Sequence, residues 1–355
     1  MVRRVLIASV VLLACVAATS QASSTTVSPC RQVYGNPVWS PDGTQIAYYG
    51  RRWPKPSSLG HGDPNSILQA YCTMNADGTN AQPLRHTVCS EKCQDPPYQI
   101  AWLQSGIVFL RDGDVLRIVP GSKPVKIMAS FNDESFAVDV AGDRIAAGQW
   151  PGCVHCAGPI SVYSLSTGRR VGTAGGKKLY NVNPSLSPDG SQVVFERDAA
   201  NDSGKPFGIW TANVNGSHLR RLVKVGQHPS WSPTGGKVAY LARAGKSEAL
   251  RLISAGGGKS RALVPKNVEN VFGWSPDGKS IAFEMGTGST GKLAVVTVAT
   301  GKASSLLQLH FGPTVAWAPD SSELVANSFP RTYKCWATYR VPTDGSKPTK
   351  ISSCR

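Results

Sequence analysis

Acidic residues are scarce in this chain, 22 against 38 lysines and arginines, and histidines are fewer still, six in 355 residues. The histidines are scattered, so their spacing proposes no metal-ligand set, and neither a metal nor a cofactor is expected. No Gly-x-Ser-x-Gly elbow and no His-Glu-x-x-His occurs, which removes the signatures of α/β-hydrolases and zincins. No catalytic residue is assigned. Long hydrophobic runs are missing too, apart from one at the start. Met1-Val2-Arg3-Arg4 is followed by an apolar stretch from Val5 to Ala18 and then Thr19-Ser20-Gln21-Ala22. That stretch is short for a membrane span and has the layout of a secretory signal, with cleavage after Ala22. Leu12-Leu13-Ala14-Cys15 also looks like a lipobox, which would leave Cys15 as a lipid anchor. Either route predicts export to a periplasmic, cell-surface or extracellular location, with no transmembrane helix in the mature chain.

The shortage of acids leaves a formal net charge of +16, or +14 once Arg3 and Arg4 depart with the signal. Such a charge favours anionic partners, among them acidic glycans and wall polymers. The basic residues are spread over turns and outer strands, however. With export and no recognition motif, nucleic acid is not expected.

One phrase is abundant. An apolar or aromatic residue, Ser-Pro-Asp-Gly and a short apolar strand recur at Trp39-Ser40-Pro41-Asp42-Gly43, Leu186-Ser187-Pro188-Asp189-Gly190, Trp231-Ser232-Pro233-Thr234-Gly235 and Trp274-Ser275-Pro276-Asp277-Gly278. A worn copy stands at Trp317-Ala318-Pro319-Asp320. Proline presets φ, Asp bonds its own backbone and Gly accepts positive φ, so each phrase reverses the chain. The residues that follow alternate as half-buried strands do, for example Ser280-Ile281-Ala282-Phe283. A second hairpin turns at Asn75-Ala76-Asp77-Gly78, Asn213-Val214-Asn215-Gly216 or Thr343-Asp344-Gly345. Two hairpins make one four-stranded antiparallel blade. The expected fold is all-β, a β-propeller spanning residues 36–355, after a signal (1–22) and an N-terminal segment (23–35). Aligned on the tryptophan position, seven units fall at Trp39, Trp102, Val138, Leu186, Trp231, Trp274 and Trp317. The second and third are weak, and the ring would have six blades if one of them is incomplete. A large residue at this position should pack between neighbouring blades.

These units resemble the repeats of TolB-type, WD-repeat-like β-propellers, from Asn36 to the C-terminus. The resemblance implies fold and leaves function open. TolB itself carries an α/β domain before its propeller, for which there is no room ahead of Trp39, so its partner role is not carried over. Related propellers serve serine peptidases, but with a hydrolase domain that has no counterpart here. Some lyases of pectic oligosaccharides use such a propeller with metal-holding His and Gln residues in the channel, and no such set maps onto this chain.

Eight cysteines follow the signal: Cys30, Cys72, Cys89, Cys93, Cys153, Cys156, Cys335 and Cys354. An even number in an exported chain points to disulfides. A hairpin turning at Asp344-Gly345 places Cys335 opposite Cys354, although Pro348 then falls opposite Val341, where a bulge could shift the pairing. The same test fails for Cys72 and Cys89, which favours Cys72 with Cys30. Cys89–Cys93 and Cys153–Cys156 would staple loops. Cys153-Val154-His155-Cys156 has redox spacing but sits between Pro-Gly and Gly-Pro rather than at a helix start. Zinc shared with Cys89 and Cys93 is an alternative reading.

Two further motifs mislead. Gly273–Ser280 matches the P-loop expression and Gly286–Gly291 the dinucleotide fingerprint, yet each precedes a strand pattern and not the helix that phosphate binding needs. His61 and Asp63 lie close together in a Gly/Pro-rich insertion and could help hold a metal, although a solvated loop is the stronger reading. Asn201-Asp202-Ser203 and Asn215-Gly216-Ser217 are sequons only in a eukaryotic host.

Long loops on a rigid scaffold concentrate function. The connections in the middle of the blades vary most. The first holds Arg51, Arg52, Trp53, Lys55 and His61; the third, Trp150 and His155; the fourth, Arg197 and Lys205; the seventh, Phe329, Arg331 and Tyr333. Arginine beside aromatics suits a protein hot spot or an anionic sugar. The expected function is non-catalytic recognition of a protein in the envelope or outside the cell. The alternative is a lyase or hydrolase acting on acidic glycans.

Overall fold

The computed structural model describes residues 30, 33–52, 68–84, 87, 100–111, 114–128, 137–148, 158–177, 179–198, 208–286, 291–310, 313–328 and 336–352. Every regular element among them is a β-strand, and all named strand pairs are antiparallel. No helix among the described residues is long and apolar enough to cross a membrane.

The strands form seven four-stranded blades. Blade one runs from Val33 to Pro83, two from Ile100 to Met128, three from Ala137 to Ala174, four from Tyr180 to Val223 and seven from Thr314 to Ser352. Blades five and six share the 14-residue strand Arg261–Trp274. Its first half pairs with Ser247–Ser254 as the outer strand of blade five. Its second half pairs with Ser280–Gly286 as the inner strand of blade six. Among the described residues the ring therefore has seven blades, and the weak second and third units each supply four strands. The third unit aligns two residues later than its sequence suggested. Trp39, Trp102, Leu186, Trp231, Trp274 and Trp317 sit opposite Ile46, Ile107, Val193, Val238, Ile281 and Leu324. The equivalent pair in blade three is Val140 with Ile145, whereas Val138 faces Ala147. Here the two-residue turn between Ala141 and Arg144 replaces the five-residue Ser-Pro-Asp-Gly connection, so a count from that motif slips.

Turn chemistry sets the first hairpin of blades one, four and six. Ser40, Ser187 and Ser275 donate through Oγ to Oδ1 of Asp42, Asp189 and Asp277 at 2.5–2.6 Å. The same hydroxyls accept the amides of Gln45, Gln192 and Ser280 at 2.9 Å. Each aspartate is held below the usual carboxylate range, first by its serine hydroxyl, and Asp42 falls to about 2. These carboxylates serve their turns. The Gly273–Ser280 and Gly286–Gly291 motifs lead into strands, as expected.

The core lies between blades. Trp102 packs against Ala47 and Tyr71 of blade one, Trp231 against Val194 and Ile209 of blade four, Trp274 against Ala239 and Leu241 of blade five, and Trp317 against Ala282 and Leu293 of blade six. Trp39 meets Ala318 and Val325 of blade seven, which closes the ring. No strand is shared at this junction, because blade one comes entirely from the N-terminal part and blade seven from the C-terminal part. Closure rests on that apolar contact, on Asn327 Nδ2 donating to the Val33 carbonyl at 3.2 Å, and on Gly78 pressed against Ile351.

Candidate functional site

Alternating strand direction sorts the connections onto two faces. One face carries the turns between first and second strands and between third and fourth strands, all two to six residues long. The other carries the remainder, which differ widely from blade to blade. Residues 53–67, 84–99, 149–159, 199–207 and 329–336 all join strand ends there, while blades two and five close their middle connection with two residues, 112–113 and 245–246. One face is thus uniform scaffold and the other is individual.

On the individual face the inner strands are bulged. Asn36, Asn183 and His228 adopt positive φ (49°, 47° and 50°), each directly before a proline and three residues before the tryptophan position. The ladder breaks at all three. A bulge leaves backbone groups without ladder partners, and neighbouring side chains take them. Glu196, on the second strand of blade four, accepts from Asn183 Nδ2 at 2.6 Å and from the His228 amide of blade five at 2.5 Å. Burial raises its pKa, against the opposing influence of His228, whose Nδ1 lies 4.0 Å away. Glu284 and Asn327 occupy the same strand position in blades six and seven. Burial and the neighbouring Glu269 raise Glu284 as well. Glu196 holds the bulges of blades four and five, and with His228 it forms an acid–imidazole pair.

On the uniform face the inner strands are linked one residue before the tryptophan position. Asp139 Oδ2 accepts the Leu186 amide at 2.7 Å, and Ser185 Oγ accepts the Trp231 amide at 3.0 Å. Trp274 Nε1 donates to the Ser230 carbonyl and Trp317 Nε1 to the Gly273 carbonyl, both at 3.1 Å. Asp139, Ser185, Ser230, Trp231 and Trp274 border a cleft of about 440 Å³ rimmed by Pro188, Pro233 and Pro276. Asp139 keeps some surface toward that cleft, yet its carboxyl is desolvated, which lifts its pKa to about 6 against the hydrogen bonds it receives.

Of the residues proposed from sequence, Arg51 and Arg52 end the second strand of blade one on the individual face, with Arg51 half-buried. Trp53, Lys55, His61, Trp150, His155, Arg331 and Tyr333 lie outside the described residues. Cys30 and Cys72 form a disulfide, with the Tyr48 hydroxyl donating to the Cys30 carbonyl at 2.5 Å. Cys89, Cys93, Cys153, Cys156, Cys335 and Cys354 fall outside the described residues. The last hairpin has the expected register near its turn, Arg340 opposite Thr349, before a bulge shifts it by one at Thr338 and Ser352. Sequence reasoning missed Asn183, His228, Glu196 and Asp139. The signal for the first two was the Asn-Pro or His-Pro pair repeated three residues ahead of the tryptophan position. Among the described residues no three His, Cys, Asp or Glu side chains gather as a metal set.

No family model and no curated protein sequence matches the chain. Solved structures do. The oligogalacturonate lyase of Vibrio parahaemolyticus is 12% identical with a TM-score of 0.60, over 88% of this chain and 90% of the other. An oligogalacturonate lyase in complex with manganese is 13% identical with a TM-score of 0.63, over 88% and 89%. TolB from Acinetobacter baumannii is 16% identical with a TM-score of 0.51, over 88% and 81%. At these identities the likeness is one of architecture, and the chain has a TolB-like β-propeller fold.

Proposed function

We propose that this protein is an exported, non-catalytic recognition module whose individual face grips another protein of the envelope or extracellular space. The observation that carries the reading is the contrast between the faces: connections of two to six residues on one, and of up to 16 residues (84–99) on the other. A rigid ring with variable loops on one side is a display scaffold. Glu196 serves the ring, since it is spent on the bulges of blades four and five. The Cys30–Cys72 disulfide supports an oxidising destination. The positive charge supports an acidic partner surface, and an anionic wall polymer is a second source of such charge. The test is capture from envelope extract by wild type and by an Arg51/Arg52/Trp53 triple-alanine variant. The variant should lose a partner that wild type retains; equal recovery of every partner removes this face from the proposal.

A second reading is a lyase or hydrolase of acidic glycans. It is favoured by the architectural likeness to oligogalacturonate lyases and by the Glu196–His228 pair. Turnover of an acidic oligosaccharide that chelator abolishes and His228→Ala reduces would establish it.

A further inference from the structure

Arg197 is the last but one residue of the second strand of blade four, toward the individual face, and is 9% exposed. Its guanidinium carbon lies 4.6 Å from the Trp210 ring centroid and 5.7 Å from that of Phe195. Nε donates to Asn181 Oδ1 at 3.0 Å. Asn181 is itself fully buried and fixed, with Nδ2 donating to the carbonyls of Gly158, Gly176 and Leu179 at 2.6, 3.0 and 3.0 Å. The plane of the guanidinium is therefore set from below by an aromatic ring and from one edge by a locked amide.

What is missing is a counter-charge. Among the described residues no carboxylate lies within ion-pair distance of Arg197, and none accepts from Nη1 or Nη2. A cation drawn out of water without an anionic partner is costly. Burial accordingly weakens its hold on the proton. The Nη side faces Gly176, and a Cβ at that position would come within 3.9 Å of Nη2. Lys177 follows, exposed and with no acidic partner among the described residues.

We propose that Arg197, seated on Trp210 and held by Asn181, is a preformed receptor for the side-chain carboxylate of an acidic protein partner, with Lys177 at its entrance. The two remaining guanidinium nitrogens match the fork of a carboxylate, which can bind them in parallel. The arriving anion supplies the counter-charge absent among the described residues, and Asn181 and Trp210 already fix the guanidinium that receives it. This deepens the recognition reading and rests on it. That reading is tested by capture with the Arg51/Arg52/Trp53 variant, whereas this site is tested on purified components, so the two failures are distinguishable.

The experiment is a calorimetric titration of the full chain with an oligoglutamate peptide, and separately with an oligogalacturonate of matched charge, alongside thermal melts without ligand. Wild type should bind the peptide. Arg197→Lys, which keeps the charge and loses the fork, should bind it roughly tenfold more weakly. Arg197→Met should abolish binding while its ligand-free Tm stays equal to or above wild type, because an uncompensated charge has been removed. The proposal is overturned if the peptide fails to bind wild type or binds Arg197→Met equally. It is also overturned if only the oligogalacturonate binds, or if Arg197→Met melts lower without ligand, which would make the guanidinium a structural part of the blade.

Discussion

Asp139 of blade three accepts the backbone amide of Leu186 in blade four at 2.7 Å, and it occupies the place that Ser185 holds one blade further on, where a serine hydroxyl accepts the amide of Trp231. The Ser185 hydroxyl also favours the Asp139 carboxylate, so the links between blades three and four and between blades four and five stand side by side. A carboxyl thus does in one blade what a neutral hydroxyl does in the next, and its ionisation is coupled to the ring.

The sign of that coupling is fixed by its raised pKa of about 6, against 3.8 unfolded. The folded state binds the proton more tightly, so the stabilising contribution is complete below about pH 4 and is lost as pH rises through 6. Asp139→Asn keeps an acceptor for Leu186 and removes the charge. It should be more stable than wild type at pH 7.5, by about 1–2 kcal/mol, with the difference vanishing near pH 4. Paired denaturant melts across this range would show it; a difference independent of pH would contradict it.

The turn aspartates act in the opposite direction. Asp42, lowered to about 2 chiefly by the Ser40 hydroxyl, contributes stability that is present above about pH 4 and lost as pH falls through 2. Asp42→Asn should therefore reduce the loss of Tm between pH 4 and pH 2, measured by circular dichroism.

Gly78 and Gly121 both have positive φ (86° and 89°), but their surroundings differ. A Cβ at Gly78 would lie 2.2 Å from the Ile351 carbonyl oxygen, whereas at Gly121 it would meet nothing within 4 Å. Gly121→Ala should cost about 1 kcal/mol of backbone strain. Gly78→Ala adds a backbone clash at the junction of blades one and seven and should cost roughly 2–4 kcal/mol. Chemical denaturation of both variants separates strain from closure.

The Cys30–Cys72 bond spans 42 residues of sequence. Loop-closure entropy for that length is about 4 kcal/mol at most. A Cys30→Ala/Cys72→Ala double variant should lose roughly 2–4 kcal/mol, with the earliest hydrogen exchange in residues 33–39. Unchanged exchange there would mean that Tyr48, bonded to the Cys30 carbonyl, tethers the segment unaided.

Asn327 is fully buried and donates to Val33, 294 residues away. Replacement by leucine leaves that carbonyl without its donor and should lower stability by about 1–3 kcal/mol. Faster exchange in residues 33–39 than in 180–186 would assign the loss to ring closure.

The repeat was legible because its determinants are local. Ser187 and Asp189 bond each other two residues apart, and Gly190 supplies the positive φ directly after them. Blade three was harder, since a two-residue turn carries no such phrase and the alignment slid from Val140 to Val138. Cys30–Cys72 could be reached by elimination within one blade. Glu196 could not, because nothing near it in sequence marks its partner, the His228 amide 32 residues on.

Sequence alone determined the hairpins, their turns and the alternation that buries one side of each strand, since all of these are settled within a few residues. Tertiary structure decided the number of blades, the junction between first and last, and the absence of a carboxylate beside Arg197 among the described residues. Those depend on which groups meet across blades, and a contact between distant residues exists only once the ring has brought their strands side by side.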